Sequence, residues 1–261
     1  MIRFDCEFDS VTLATKVNVT VFIPNRVQYM HPVTDFRERY SFNAFKVLYL
    51  LHGMWDSGRQ WIENTDIVRL AQNEELALVI PSCGNNFYVN TIYGARFSDF
   101  VGQELPGFIK AMFPVSDKRE DNFICGMSMG GYGALRLGFV YPGEFSKVIA
   151  LSPTADIVYA ARFMKTLCSP PDYIIGSWKE LKGSDMDLFV LADKAAEKGT
   201  ELPEMLTIVG DRDHLIGQSD KFYEHLTELG FKSEFRSYPG EHSWDFWSMC
   251  IPECLRWLLN R

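Results

Sequence analysis

FICGMSMGGYGAL, Phe123 to Leu135, passes from an apolar stretch through a cluster of glycines into a helical pattern, with Ser128 at the junction. Gly126, Ser128 and Gly130 form a G-x-S-x-G, a pattern that chance alone gives in roughly one chain in ten of this length. Its setting gives it weight: an apolar strand precedes it, and Gly130, Gly131 and Gly133 open the helix that follows. A strand-to-helix turn this tight presses its flanking positions against neighbouring backbone, so they must be small. The serine is held strained, with its hydroxyl outward. The amino end of the helix adds N–H groups and a positive dipole beneath it, suited to a negatively charged intermediate. The competing reading is a glycine-rich turn used only to pack a helix on a strand.

Working outward, short and nearly continuous apolar runs recur along the chain: Phe45 to Gly53, Leu76 to Cys83, Phe123 to Met127, Lys147 to Pro153 and Met205 to Gly210. Such runs suit parallel strands buried on both faces. Val11 to Pro24 has strand alternation, and Phe231 to Gly240 reads as a last, more polar strand. Helices are expected over Ser98 to Met112, Gly130 to Val140, Ser219 to Leu229 with Gly230 ending it, and Trp244 to Leu259 with a kink at Pro252. Strands and helices taking turns predict an α/β fold with a mostly parallel central sheet flanked by helices. In such sheets function gathers at the carboxyl ends of the strands, where Ser128 lies.

The chain has 261 residues, 47% of them hydrophobic and 23% charged, and its formal net charge is −8. That length accommodates one domain, which is the expectation over 1–261. No apolar run approaches a membrane span. The acidic balance argues against a nucleic-acid or anionic-membrane surface. DKRED, Asp117 to Asp121, carries both signs and reads as a solvated turn. The amino terminus lacks the regions of a signal peptide, so a cytoplasmic location and reduced cysteines (Cys6, Cys83, Cys125, Cys168, Cys250, Cys254) are expected. Cys250 and Cys254 would share a helix face, but no second ligand pair accompanies them, and a buried structural role is the simpler reading.

A serine hydroxyl needs a base, and the base an orienting acid. VGDRDH, Val209 to His214, offers Asp211 and Asp213 just past one strand; GEHSWDFW, Gly240 to Trp247, offers His242 just past the next. His31 and His52 precede the serine, His225 falls mid-helix and His214 adjoins the acid. His242 is therefore the expected base. Asp213 is preferred over Asp211, which follows Gly210 where a carboxylate commonly shapes a turn. A tetrahedral intermediate also needs two N–H donors. Met129, after the serine, is one; LLHGMWDSG, Leu50 to Gly58, offers Met54 as the other.

LLHGMWDSGRQW, VNTIYG (Val89 to Gly94), ELPGFIKAMFP (Glu104 to Pro114), KREDNFICGMSMGGYGAL, the G-x-x-D at Gly210 to Asp213, and GEHSWDFW occur in one order from about Phe45 to Trp257. Together they resemble the tributyrin-esterase group within the esterase D-like α/β hydrolases. The resemblance implies an α/β-hydrolase fold and a serine carboxylesterase acting on small, short-acyl esters. It also implies a Ser128–His242–Asp213 triad and no metal or organic cofactor. The related S-formylglutathione hydrolases carry a cysteine soon after the HG; this sequence has Trp55-Asp56-Ser57 there.

Trp55, Trp61, Tyr88, Tyr93 and Trp244 fall near these motif loops and are candidates to line a substrate pocket. The stretch of about 153–204, with Pro170-Pro171, Phe163, Tyr173 and Trp178, departs most from regular alternation. It could fold over the site as a small cap or be a helical connection on the surface. The expected partner is a small-molecule ester, with no nucleic acid and no membrane; self-association is left open. An acetyl or feruloyl esterase on carbohydrate esters, a thioesterase, an acyltransferase on the same triad and a non-catalytic binding member of the fold are the alternatives.

Overall fold

The apolar runs pack as one eight-stranded sheet in the computed structural model, which describes residues 1–25, 44–166 and 176–261. The strands are β1 (Ile2–Ser10), β2 (Thr15–Ile23), β3 (Lys46–Leu51), β4 (Leu76–Pro81), β5 (Asn122–Met127), β6 (Lys147–Leu151), β7 (Glu204–Gly210) and β8 (Ser233–Tyr238). Their spatial order is β1-β2-β4-β3-β5-β6-β7-β8. β1 and β2 are antiparallel to their neighbours; from β4 to β8 every pairing is parallel. Helices follow the strands: α1 (Arg59–Glu63), α2 (Ile67–Asn73), α3 (Leu105–Met112), α4 (Met129–Val140), α5 (Ile157–Thr166), α6 (Trp178–Leu181), α7 (Leu188–Glu197), α8 (Ile216–Glu228) and α9 (Trp244–Leu258).

Side-chain alternation explains why the central strands are apolar throughout. In β3, Val47, Tyr49 and Leu51 enter the core on one face while Leu48 and Leu50 enter the core on the other. In β5, Ile124 faces the first core, and Phe123, Cys125 and Met127 the second. Helices cover both faces, so a polar side chain there needs a partner, as where buried Asn122 donates to the Ser116 and Lys118 carbonyls and Lys147 to the Trp257 carbonyl. The eight strands and their flanking helices form an α/β-hydrolase-type sheet.

The structure departs from the sequence reading at four places. The expected strand over Val11 to Pro24 starts only at Thr15, because residues 11–14 turn β1 back onto β2, with Ala14 in the left-handed region at φ 51°. Glu104 fixes that turn by accepting hydrogen bonds from the Val11 and Thr12 amides and the Ser10 hydroxyl. The helix expected over Ser98 to Met112 is present but not uniform: a short α-helical turn, Phe97–Asp99, runs into π-helical Phe100–Glu104 and then α3. Helices α1 and α2 were not foreseen, being too short to display a period. Helix α9 runs on through Pro252.

Among the described residues, no helix is long and apolar enough to cross a membrane. Cys6, Cys83, Cys125, Cys250 and Cys254 are free thiols, and burial pushes Cys83 and Cys250 up to about 12. Cys168, His31, Pro170-Pro171 and Tyr173 lie outside the described residues.

Candidate active site

Ser128 sits between β5 and α4 at φ 55°, ψ −116°, a conformation that costs an L-residue on the order of 1–3 kcal/mol. Its amide is tied to the Leu151 carbonyl at 2.9 Å, and its carbonyl accepts from Tyr132 and Thr154. Glycine is required on either side. A Cβ at Gly126 would overlap the Gly130 carbonyl, and one at Gly130 would overlap the Leu51 carbonyl. The backbone cannot retreat, because β3 and β5 are neighbours in the sheet. Gly126→Ala is therefore expected to lose about 3 kcal/mol, a fall of roughly 6–12 °C in Tm by calorimetry. An unchanged Tm would show that the turn can relax.

Past β7, the Asp213 side chain is fully buried; past β8, His242 reaches back to it. The His242 Nδ1–H donates to Asp213 Oδ2 at 2.9 Å, and Nε2 accepts from the Ser128 hydroxyl at 3.0 Å. The two loops meet where Gly210 leaves no room for a Cβ against the Gly240 carbonyl. Asp213 Oδ1 accepts from the Leu215 amide at 2.9 Å. Burial pushes the Asp213 carboxyl up, but bonds from His242, Ser152 and Leu215 outweigh it, and its pKa lies below the ordinary value. The Ser152 proton is free for this use because Trp247 Nε1–H, a donor only, binds Ser152 Oγ at 3.0 Å. The Trp247 ring stands edge-on to His242 at 5.0 Å and 89°.

The loop after β3 closes against the serine: a Cβ on Gly53 would lie 3.5 Å from Ser128 Cβ. Buried His52 organises that loop. Its Nε2 accepts from the Cys83 amide at 3.0 Å, so Nδ1 carries the proton and donates to the Gly53 carbonyl at 2.8 Å. In a trans peptide the next N–H, that of Met54, then points to the opposite side. The Met54 amide has no acceptor among the described residues. The Met129 amide opens α4, where the first N–H groups lack helical partners.

The residues that match this arrangement have relatives. The Esterase family, described as "Putative esterase", matches residues 11–258. An acetyl esterase of Caldicellulosiruptor saccharolyticus is 32% identical over 87% of this chain and 88% of its own length. The chain belongs to the esterase family. The esterase superposes on the substrate-bound Staphylococcus aureus fluorophosphonate-binding serine hydrolase FphF with a TM-score of 0.87, at 27% identity, over 100% of this chain and 99% of the other. It superposes on the S-formylglutathione hydrolase FrmB of Staphylococcus aureus with a TM-score of 0.86, at 27% identity, over 99% of both chains. It is a carboxylic ester hydrolase with neighbours in the esterase D-like group.

In the esterase, Ser128 and His242 open onto a cleft of about 230 Å³. Of the five aromatic residues expected to line it, Trp55 does. The other four lie outside the lining. Trp61 has no exposed surface and packs edge-on against Trp244 at 5.3 Å. Trp244 is wedged between Trp61 and Trp247. Tyr88 is buried and donates its hydroxyl to the His52 carbonyl at 2.9 Å, supporting the loop of Met54 rather than touching a substrate. Tyr93 is 73% exposed on the outer surface.

The cleft wall instead uses Tyr159, Ala160 and Phe163 of α5, together with His214. The sequence reading named Phe163 only within a possible cap and His214 only beside the acid; it did not single out Tyr159 or Ala160, because one turn of α5 looks like any amphipathic helix. The His214 ring lies 4.8 Å from that of His242. Burial, and then the His242 charge, push the His214 pKa down against the pull of Asp213. Potential metal-ligand atoms of Asp213, His214 and His242 lie within 4.8 Å of one another. The Asp213 oxygens are already committed to His242, Ser152 and Leu215. His225, the mid-helix histidine, pairs with Asp193 at 2.8 Å and is not among the cleft-lining residues.

Proposed function

We propose that this esterase hydrolyses short-chain acyl esters through a covalent acyl-enzyme, with Ser128 as nucleophile, His242 as general base and Asp213 as its orienting acid. The observation that carries the reading is the continuous Asp213–His242–Ser128 hydrogen-bond chain ending at a strained serine inside a cleft. Ser128 Oγ attacks the ester carbonyl as its proton passes to His242 Nε2. Asp213 holds the proton on Nδ1 and stabilises the imidazolium that forms. The Met54 and Met129 amides donate to the oxyanion. Collapse expels the alcohol, which takes the proton from Nε2; water, deprotonated by the same nitrogen, then attacks the acyl carbon, and the Oγ–acyl bond breaks as Nε2 returns the proton to Ser128 Oγ, releasing the acid. None of these steps calls on a metal or an organic cofactor.

The same residues could pass the acyl group to an alcohol in place of water, so added alcohol acceptors belong in the assay. The small cleft, walled by α5 from the 153–204 stretch, supports a short acyl group and a capping role for that stretch. With 4-nitrophenyl esters, kcat/KM is expected to be highest from acetyl to butyryl and at least about tenfold lower for decanoyl, since a chain too long for the pocket must push aside its packed wall to keep the carbonyl at Ser128, and methylenes left outside bring none of the gain of burial. A preference for decanoyl would overturn the short-chain reading. A thioesterase acting on S-formylglutathione gains support from the neighbour of that name. Against it, glutathione carries two carboxylates, and no Lys or Arg lies among the described cleft-lining residues.

A further inference from the structure

We propose that Asp56 sets the alcohol specificity of the cleft, accepting hydrogen bonds from hydroxyl-bearing esters and turning away esters that carry a carboxylate. The proposal rests on the esterase reading and goes on to name the substrate class. Most of the lining is apolar or aromatic; its ionisable members are Asp56, His214 and His242, together with the phenol of Tyr159. Asp56 is thus the one carboxylate among the described lining residues, and no Lys or Arg stands among them to offset it. It follows Trp55 directly after Met54, so it stands on the loop that closes over the reacting carbonyl.

Its protein partner is the Trp244 side chain, which donates one hydrogen bond. No ion pair to Asp56 is found among the described residues, whereas Asp211 and Glu241, on the loops after β7 and β8, are both paired with Arg212. A carboxylate accepts about four hydrogen bonds. Asp56 is half-buried, with one donor supplied by the fold and burial disfavouring its charge, so it keeps acceptor capacity that water fills in the free enzyme and that substrate hydroxyls can take over. Hydroxyl groups of a polyol or sugar ester satisfy it at the cost of ordinary dehydration. A carboxylate on the substrate meets a like charge in a cleft that excludes part of the solvent.

The test compares glycerol monoacetate with O-acetylglycolate at pH 8, by kcat/KM, in the wild-type enzyme and in Asp56→Asn. Asparagine retains an oxygen for the Trp244 N–H and for a substrate hydroxyl, so the charge is the main thing removed. The wild type is expected to favour the neutral ester by tenfold or more. In the variant that ratio should narrow by about tenfold, the order expected for two unit charges roughly 7 Å apart at an effective dielectric near 40. Independently of any variant, the wild-type ratio should narrow as salt is raised from about 20 mM to about 500 mM, because the cleft is open enough for screening. A ratio that is the same in both proteins, or that does not respond to salt, overturns the assignment. If the wild type cleaves neither glycerol monoacetate nor 4-nitrophenyl acetate, the esterase reading itself falls, and this one with it.

Discussion

Ser128→Ala is expected to lower kcat for 4-nitrophenyl acetate on the order of 10⁶-fold and to abolish labelling by a fluorophosphonate, with the thermal melt preserved. The expectation follows from geometry. Ser128 Oγ is the atom that His242 Nε2 reaches at 3.0 Å, and among the described residues no other hydroxyl bonds to that nitrogen. Alanine keeps the Cβ and therefore the strained φ of 55°, so the elbow should fold as before. Ser128→Gly separates the two properties further. It should be equally inactive yet more stable by about 1 kcal/mol or more, since glycine tolerates positive φ without the Cβ penalty. Mass spectrometry of the labelled wild type should place the adduct on the peptide containing Ser128. A label elsewhere, or wild-type turnover in the alanine variant, would end the serine-hydrolase reading of this site.

The sheet and the chain Asp213–His242–Ser128 were legible in sequence for one physical reason. Parallel strands buried on both faces must be apolar and short, and the residues that follow them are delivered to a common edge. The elbow was legible because its constraints are local: Gly126 collides with Gly130, four residues away. What escaped was contact between elements far apart in the chain. Trp247 reaches Ser152 across 95 positions, and the Ser152 hydroxyl in turn supports Asp213, a relation with no local spacing to announce it. The aromatic residues escaped for a related reason. Trp61 and Tyr88 lie as near the motifs in sequence as Trp55 does, yet backbone direction turns the first two into the core and leaves Trp55 at the cleft. The residues that take their expected place, Tyr159 and Phe163, come from the least regular stretch of the chain.

The choice between the two aspartates after β7 yields the second large effect. The sequence reading gave Asp211 a turn-shaping bond to an amide two residues on. In the structure that bond belongs to Asp213, whose Oδ1 accepts from Leu215, while Asp211 accepts from the Gly240 amide at 3.0 Å and lies near Arg212 at the surface. Asp211 thus staples the aspartate loop to the histidine loop, and Asp213 bonds the histidine itself. Asp213→Asn presents an amide that cannot hold the Nδ1 proton as a carboxylate does, so the tautomer with Nε2 free is lost; turnover is expected to fall on the order of 10⁴-fold. Asp211→Asn keeps an oxygen for Gly240 and should retain turnover within a few-fold, losing about 1 kcal/mol of stability. The pH dependence of stability separates them again. Because the folded pKa of Asp213 is depressed, its contribution is present above the ordinary carboxylate range and is lost as pH falls through that range to the folded value. The difference in unfolding free energy between wild type and Asp213→Asn should therefore shrink on acidification below about pH 4. Denaturant melts at pH 7 and in that acid range, read beside kcat, would check both outcomes. An inactive Asp211→Asn with full-strength Asp213→Asn would assign the acid to Asp211 and leave Ser128 and His242 in place.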